Sequence, residues 1–542
     1  MALEYTEEKL NSLDKETIIQ LFLSQQEQLK QIDQTLQLVL EQVAELKRHR
    51  FGRSSERHET EAQISFMEVD GKIVFFNEAE AVAKEESGEA AETATRQKPK
   101  KKQGKRDEDL SGLPVMVIEH SMSEEELEER FGKDGFKQLP DEVYRRYGFT
   151  PAKVEVEEHH VKVYAGKKTD EVVRAPHPEC LLRGSLVSAS LEAAVINAKY
   201  VNAVPLYRQE QEFERYGLHI SRQNMANWTI QCADRYLAVL YDYLHEKMYG
   251  YHVLQADETP VLVNKDGRPA GVKSFMWVYR TGRMYTDRQI VLYEYQKTRN
   301  ASHPREFLKD FNGICVTDGY QVYHTIETER EDLKIAGCWS HARRRFDEAV
   351  KSLPKAKRKD SRAYLALTMI QAIYREEKLL KDLPAEERKI RRQLSVRPLV
   401  EAYFTWAREN ILKVPQKSKT WEGFNYSINQ EKYLKVFLDD GDVPMDNNAA
   451  EQSIRGFCIG KKNWVMIDTV AGAKSSAIIY SIAETAKANN LKPYDYFEYL
   501  LTEIPKHLDD TDRSFLDDLL PWSPNLPANC RKPGKEEMKI RL

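Results

Sequence analysis

Acidic residues far apart in a chain can do joint chemistry if folding gathers them. Three in this 542-residue sequence are candidates: Asp257 in QADETPVLV, Asp318 in TDGY and Glu451 in DNNAAEQSIRG. Carboxylates gathered this way would suit a pair of divalent ions about 3.5–4 Å apart, and oxygen ligands favour Mg²⁺. Such a pair clamps the attacking and leaving oxygens of an in-line displacement at a phosphodiester and needs no covalent protein intermediate. Read singly, each residue also has a plainer explanation. Asp commonly ends strands, and Asp318-Gly319 can be a simple turn dipeptide. Asn448 followed three residues later by Glu451 matches a capping box, in which the glutamate only bonds a backbone amide. Arg455, four residues after Glu451 on the same helical face, could pair with it or meet a phosphate.

The elements that must position these groups follow from hydrophobic periodicity. Strand-like runs at 252–263, 274–280 and 288–295, joined by Gly-rich turns, predict an antiparallel meander. A helix at 303–311, a short strand at 313–318, another helix, a strand at 334–339 and a basic helix at 340–349 give a βαβα continuation. Asp257 lies within the first strand and Asp318 ends the fourth, so a mixed sheet with those two strands adjacent would bring them together. Residues 350–440 carry no strand signal and predict a helical insertion, and helices resume from 449 to about 503.

Upstream, apolar residues from Ile18 to Leu46 step by threes and fours, the seam of a coiled coil or of an amphipathic helix packed on its own domain. The basic stretch 46–57, containing Arg53, reads equally as a phosphate contact or as a solvated helix end. Residues 79–106 pass from Ala- and Glu-rich to strongly basic and predict a charged linker. The alternation in 153–164 suggests a strand. There His159 and His160 have no ligand partners at metal-binding spacing, so exposed positions are expected for them. Residues 206–232 read as helix, turn, helix, with Ser221 capping the second. If that is a helix-turn-helix, Arg222, Gln223, Asn224 and Asn227 stand in the opening turns of the recognition helix; the alternative is a plain helical hairpin.

At this length several domains are expected. We divide the chain into an arm (1–57), a hairpin and charged linker (58–109), a small β-containing module (110–187), a helical helix-turn-helix-like region (188–248), the first part of an α/β core (249–350), a helical insertion (351–440), the last part of the core (441–505) and a tail (506–542). A composition of 41% hydrophobic and 31% charged residues is that of a globular chain and excludes fibrous or wholly disordered classes. The acidic start lacks a secretory signal and no apolar run is long enough for a membrane, so a cytoplasmic protein without membrane partners is expected. The six cysteines form no C-x-x-C pair and read as reduced thiols. A net charge of −4 means that nucleic-acid binding would depend on local basic patches.

QADETPVLV, TDGY at 317–320, CWSHARRRF at 338–346 and DNNAAEQSIR at 446–455 resemble, in order, the signatures of insertion-sequence 66 family transposases. The resemblance extends to FGRSSER (51–57), KYVNAVPLYRQ (199–209), ISRQNMANW (220–228), GKKNWV (460–465) and LLPW (519–522). It implies a multidomain α/β protein with an RNase H-like mixed-sheet core, in which Asp257, Asp318 and Glu451 match the acidic triad holding two Mg²⁺ ions, with Mn²⁺ as a substitute. It further implies cleavage and strand transfer at the element's terminal inverted repeats, with His341 of the C-x-x-H element supporting the site or touching DNA. Arg53, Arg343, Arg344, Arg455, Lys461 and Lys462 join the helix-turn-helix residues as expected DNA contacts. The implied partners are double-stranded DNA at element ends and target, a second copy of the chain, and small accessory proteins of the same element, in a nucleoid-associated setting. Two departures stand out: residues 110–185 retain only Cys180 of a paired-cysteine zinc module, so zinc is not expected, and Gln452 stands where an arginine usually follows the glutamate. Other readings are a catalytically silent, transposase-derived DNA-binding protein and a stand-alone metal-dependent nuclease.

Overall fold

In a computed structural model of the chain, the described residues are 180–532 except 270, together with 26, 66–69, 72–75, 117, 121–133, 153–165 and 172–176. The expected coiled coil, apart from Gln26, the basic stretch with Arg53 and the linker at 79–106 lie outside them. The chain forms two compact units. In the unit spanning 43–147 and 533–542, strands β1 (Phe66–Val69) and β2 (Lys72–Phe75) pair antiparallel. Helix α1 (Glu124–Phe131) opens on a capping box: Ser123 Oγ accepts from Glu126 N, and Glu126 Oε2 accepts from Ser123 N.

In the other unit, β3 (Val163–Ala165) and β4 (Val172–Arg174) form a short antiparallel hairpin. The strand expected over 153–164 is therefore reduced to its last residues. Residues 153–160 are all exposed, so their alternation has no core to face and no partner strand to satisfy its backbone, and His159 and His160 sit in irregular chain.

Helices α2 (Ala189–Ile196), α3 (Leu206–Arg215), α4 (Arg222–Cys232) and α5 (Ala238–Met248) follow. Ser188 caps α2 and Ser221 caps α4, each accepting a backbone N–H three residues on at 3.2 Å. Between α3 and α4 the chain turns at Gly217, whose φ of +78° is a conformation that residues with a Cβ rarely adopt. Val195, Ile220 and Met225 form the buried nucleus of this helix, turn, helix arrangement.

The central sheet comprises β5 (Val253–Lys265), β6 (Lys273–Thr281), β7 (Val291–Gln296), β8 (Gly313–Val316), β9 (Leu333–Ala336) and the short β10 (Ile467–Thr469). The spatial order is β7-β6-β5-β8-β9, with β10 added beside the far end of β5. The first three strands are antiparallel neighbours, whereas β8 and β9 join in parallel. The expected meander and the adjacency of its first strand to the fourth are thus observed. Parallel pairing needs a crossover, supplied by α6 (Ser302–Phe307) before β8 and α7 (Gln321–Glu329) before β9.

After β9 come α8 (Trp339–Ser352) and the helices of the insertion, α9 (Arg362–Leu379), α10 (Ala385–Arg391), α11 (Arg397–Ile411), α12 (Lys419–Asn429) and α13 (Glu431–Leu434). The chain returns through α14 (Asn448–Trp464), α15 (Val470–Ala488), α16 (Pro493–Glu503) and α17 (Phe515–Leu519).

Side chains alternate along a strand, so β5 feeds two cores. Leu254 and Ala256 join the cluster shared with α5, α15 and α16, while Val253 joins Ile314, Val316 and Ala336 in the cluster built on the insertion helices. Edge strand β7 is closed by α15, where Ser481 Oγ accepts Tyr293 N at 2.7 Å and Thr485 Oγ1 both accepts Val291 N and donates to Val291 O. Among the described residues no helix is long and apolar enough to cross a membrane.

Candidate active site

The register of β5 against β8 sets the first two acids. Gln255 lies opposite Val316 in the parallel pair, so two residues further on Asp257 comes level with Asp318 at the carboxyl end of β8. The strand stops there because the chain turns through Gly319 at φ +89°, with Tyr320 N donating to Asp318 Oδ1 at 2.9 Å. Tyr426 of α12 donates its hydroxyl to the Asp318 carbonyl at 2.8 Å.

Glu451 enters from the first turn of α14, and the residues before it are pinned to β5. Asn447 Nδ2 donates to Ala256 O at 2.7 Å, and Gln255 Nε2 donates to Asn447 Oδ1 at 3.1 Å and to Asp446 O at 3.2 Å. Asn447 N donates to Cys338 Sγ at 3.2 Å, and Trp339 N to Met445 O at 3.2 Å. Gln255, Cys338 and Asn447 are each 0% exposed. A buried polar group costs free energy unless it is bonded, so these bonds join β5, the start of α8 and the start of α14 in one arrangement.

The capping-box reading of Glu451 fails. Asn448 is the first helical residue and Asn447 makes no side-chain capping bond, because its amide is committed to β5. Glu451 Oε2 instead accepts from Arg344 Nη2 at 2.9 Å, so its ion-pair partner is Arg344 and not Arg455. Its other oxygen lies 3.6 Å from His341 Nδ1, and both of those atoms are buried without a hydrogen bond.

Burial first, and then the neighbouring carboxylates Glu258, Asp318 and Glu451, push the Asp257 pKa well above the ordinary carboxylate range. Burial lowers that of His341 although Asp318 and Glu451 oppose it, which favours the neutral ring. Glu258, the next residue along β5, is raised to about 7 by burial and by Asp318, against the opposing pull of Arg299. Arg299 grips Glu258 through two nitrogens and lies 3.7 Å over the Tyr320 ring, tying β5 to the turn after Asp318.

Four acidic groups therefore share a region in which Arg299 and Arg344 are the paired cations. This excess of carboxylate, with Glu451 Oε1 buried and unpartnered, fits a hard divalent cation. Cys338 Sγ, a His341 ring nitrogen and a Glu451 oxygen also fall within 4.8 Å of one another, a set that does not include Asp257 or Asp318. The Cys338 thiol is pushed up by burial and accepts a backbone amide, so its part is that of a fixed acceptor between α8 and α14.

The structure thus brings Asp257, Asp318, Glu451, His341 and Arg344 into one region. Arg222, Gln223, Asn224 and Asn227 are exposed along α4, where Arg222 N donates to Glu210 Oε1 at 2.9 Å. Arg343 and Lys462 are exposed, whereas Lys461 donates to Pro260 O at 2.6 Å and so ties α14 to β5. Sequence reasoning missed Gln255, Glu258, Arg299 and Tyr426. Only a polar Gln two residues before an acid in an otherwise buried strand hinted at the first.

Residues 184–475 match the family model described as transposase IS66 family, more than half of the chain. The chain belongs to the IS66 family of transposases. Residues 481–522 match the IS66 C-terminal element, and residues 39–118 match a model described as transposase C of IS166 homeodomain. That last match spans residues divided above among the arm, the linker and the start of the β-containing module. Three relatives from Sinorhizobium fredii strain NGR234 are named as uncharacterized proteins. The y4qI protein is 30% identical over 370 residues, 66% of this chain and 67% of the relative. The y4jD protein is 27% identical over 364 residues (65% and 69%), and y4hP is 23% identical over 408 residues (72% and 72%). This IS66-family chain is therefore a transposase by family, and its site lies inside the matched segment.

Proposed function

We propose that the chain binds the terminal inverted repeats of its own element, cuts the DNA there and joins the freed 3′-hydroxyls to target DNA. The observation that carries this reading is the parallel register of β5 and β8, which sets Asp257 level with Asp318, together with the bond by which Asn447 ties the helix of Glu451 to β5. The strand order, three antiparallel strands followed by two parallel ones, supports an RNase H-like core.

Asp257, Asp318 and Glu451 would hold Mg²⁺, two ions in our reading, with Mn²⁺ as a substitute. When bound, the metal supplies Lewis acidity to the phosphate and lowers the pKa of the attacking water or hydroxyl. Asn447 and Gln255 hold the glutamate's helix against β5. Arg344 orients the Glu451 carboxylate, and His341 beside it would hydrogen-bond the DNA strand. The exposed polar face of α4 would read the repeats, and Arg343 and Lys462 would meet phosphates. Self-association through an N-terminal coiled coil would pair two ends. Small accessory proteins of the element, and a cytoplasmic site of action at the nucleoid, complete the reading.

Strand transfer of labelled terminal DNA in Mg²⁺ tests it. Asp257→Ala, Asp318→Ala and Glu451→Ala should each remove cleavage and joining while end binding survives. Near-normal activity in any one would remove that residue from the site, and hydrolysis without joining would instead favour a nuclease.

A further inference from the structure

Next to Asp318, the wall formed by α12 carries a polar face. Residues 422, 425, 426 and 429 share one side of the helix. Glu422, Asn425, Tyr426 and Asn429, with Gln430 just beyond and Arg345 from α8, line a cleft of about 210 Å³. The hydroxyl of Tyr426 bonds the Asp318 carbonyl, so the cleft backs directly onto the turn carrying that acid. A Cβ added at Gly319 would come within 3.1 Å of both Gln430 Oε1 and the Tyr426 hydroxyl.

Among the described residues, several of these groups have no hydrogen-bond partner. Gln430 Oε1 is buried with no hydrogen bond, and among the described residues the side-chain amides of Asn425 and Asn429 make none. The Arg345 guanidinium lies 4.5 Å over the Tyr426 ring and presents a flat cationic surface. Glu422 stands on the same lining, 3.3 Å from Lys419. A phosphate would meet that carboxylate as well as the Arg345 guanidinium, and would leave the acceptors of the lining amides unused. A neutral base edge, by contrast, meets donors and acceptors together: amides that suit the paired groups of a purine, a carboxylate that accepts from an exocyclic amine, and a planar surface for the ring.

We propose that this cleft holds one nucleobase of the DNA strand running through the site, adjacent to the scissile phosphate. The proposal rests on reading Asp257, Asp318 and Glu451 as a DNA-cleaving centre, and its test separates the two claims. Full-length chain is mixed with duplexes carrying the terminal DNA of its element. A single abasic site is moved one position at a time around the cut on each strand. Binding is measured in Ca²⁺ and cleavage in Mg²⁺. One position is expected at which loss of the base weakens binding by the unsubstituted chain about tenfold. Asn425→Ala with Asn429→Ala should bind intact DNA about tenfold more weakly and lose nothing further at that position. Asn429→Ala alone alters an exposed residue, so it keeps the test valid should the double variant fail to fold, and it should show the same pattern with a smaller loss. The proposal is overturned if no position carries an abasic penalty, or if the penalty is unchanged in both variants. The binding pattern without Mg²⁺-dependent cleavage would uphold the cleft and remove the catalytic reading.

Discussion

At the residue scale, the position of Glu451 depends on Asn447 more than on the glutamate's own helix. The Asn447 side chain both donates to Ala256 O and accepts from Gln255, with no water-exposed route for either partner. Asn447→Ala takes the side-chain donor from the buried Ala256 carbonyl, at about 1–3 kcal/mol for an unsatisfied group, and leaves Gln255 Nε2 with Asp446 O alone. It should therefore lower stability by about 1–3 kcal/mol in urea unfolding and reduce cleavage while end binding is retained. Unchanged stability would show that these bonds are replaced by others. A second residue gives a pH-dependent prediction. Glu192 on α2 is 0% exposed, accepts a hydrogen bond from Thr229 at 2.8 Å, and is pushed up to about 8, chiefly by burial. The folded chain keeps this proton up to about pH 8, whereas the unfolded chain releases it near 4.5. The native state thus binds more protons in that window, so this contribution is fully present below 4.5 and is lost as the pH rises towards 8, by a few kcal/mol in all. Glu192→Gln keeps an acceptor for Thr229 without a charge to bury. It should be more stable than the unsubstituted chain at pH 8, with the gap shrinking towards pH 5; parallel curves would contradict the assignment.

At the element scale, α3 and α4 form the helix, turn, helix unit expected from sequence, with the candidate readout residues on its free face. Arg222 and Asn227 are exposed and not needed by the nucleus of Val195, Ile220 and Met225. Replacing either with Ala should weaken binding to the element's ends by roughly tenfold, more than to random DNA. Equal weakening on both DNAs would make them phosphate contacts without a reading role. The hairpin of β3 and β4 teaches the opposite lesson. Alternation in 153–164 looked like a strand, yet a strand is secured by a partner and a face to bury, and most of that run has neither. Helix α14 shows a third outcome: its start was legible from Asp446, Asn447 and Asn448, but the use of Asn447 on β5 was not, because that bond crosses almost the whole core.

At the scale of the described chain, the insertion and the sheet are not independent. Phe346 of α8 is fully buried, packs edge-on against Phe424 of α12 at 5.1 Å, and belongs to the same cluster as Val253, Ile314 and Val316 of the sheet. Gly423 permits that contact, since an added Cβ would lie 2.7 Å from the Phe346 ring. Phe346→Ala should cost about 3–5 kcal/mol and reduce hydrogen-exchange protection in β8 as well as in α12. Loss confined to α12 would show that the insertion unfolds separately. This shared core explains how α12 can stand beside Asp318 although it belongs to an insertion.

The sequence by itself determined the acidic candidates, the meander, the βαβα continuation, the helical insertion and the paired helices with their serine caps. These depend on periodicity, turn residues and caps, which act over a few positions. Only the tertiary structure decided which acids meet, that Glu451 faces Arg344 and His341 instead of a backbone amide, that Lys461 serves β5, and that α12 forms a cleft beside Asp318. Those outcomes turn on register and on contacts between residues tens to hundreds of positions apart, where local preference carries no information and burial of unpaired polar groups sets the choice.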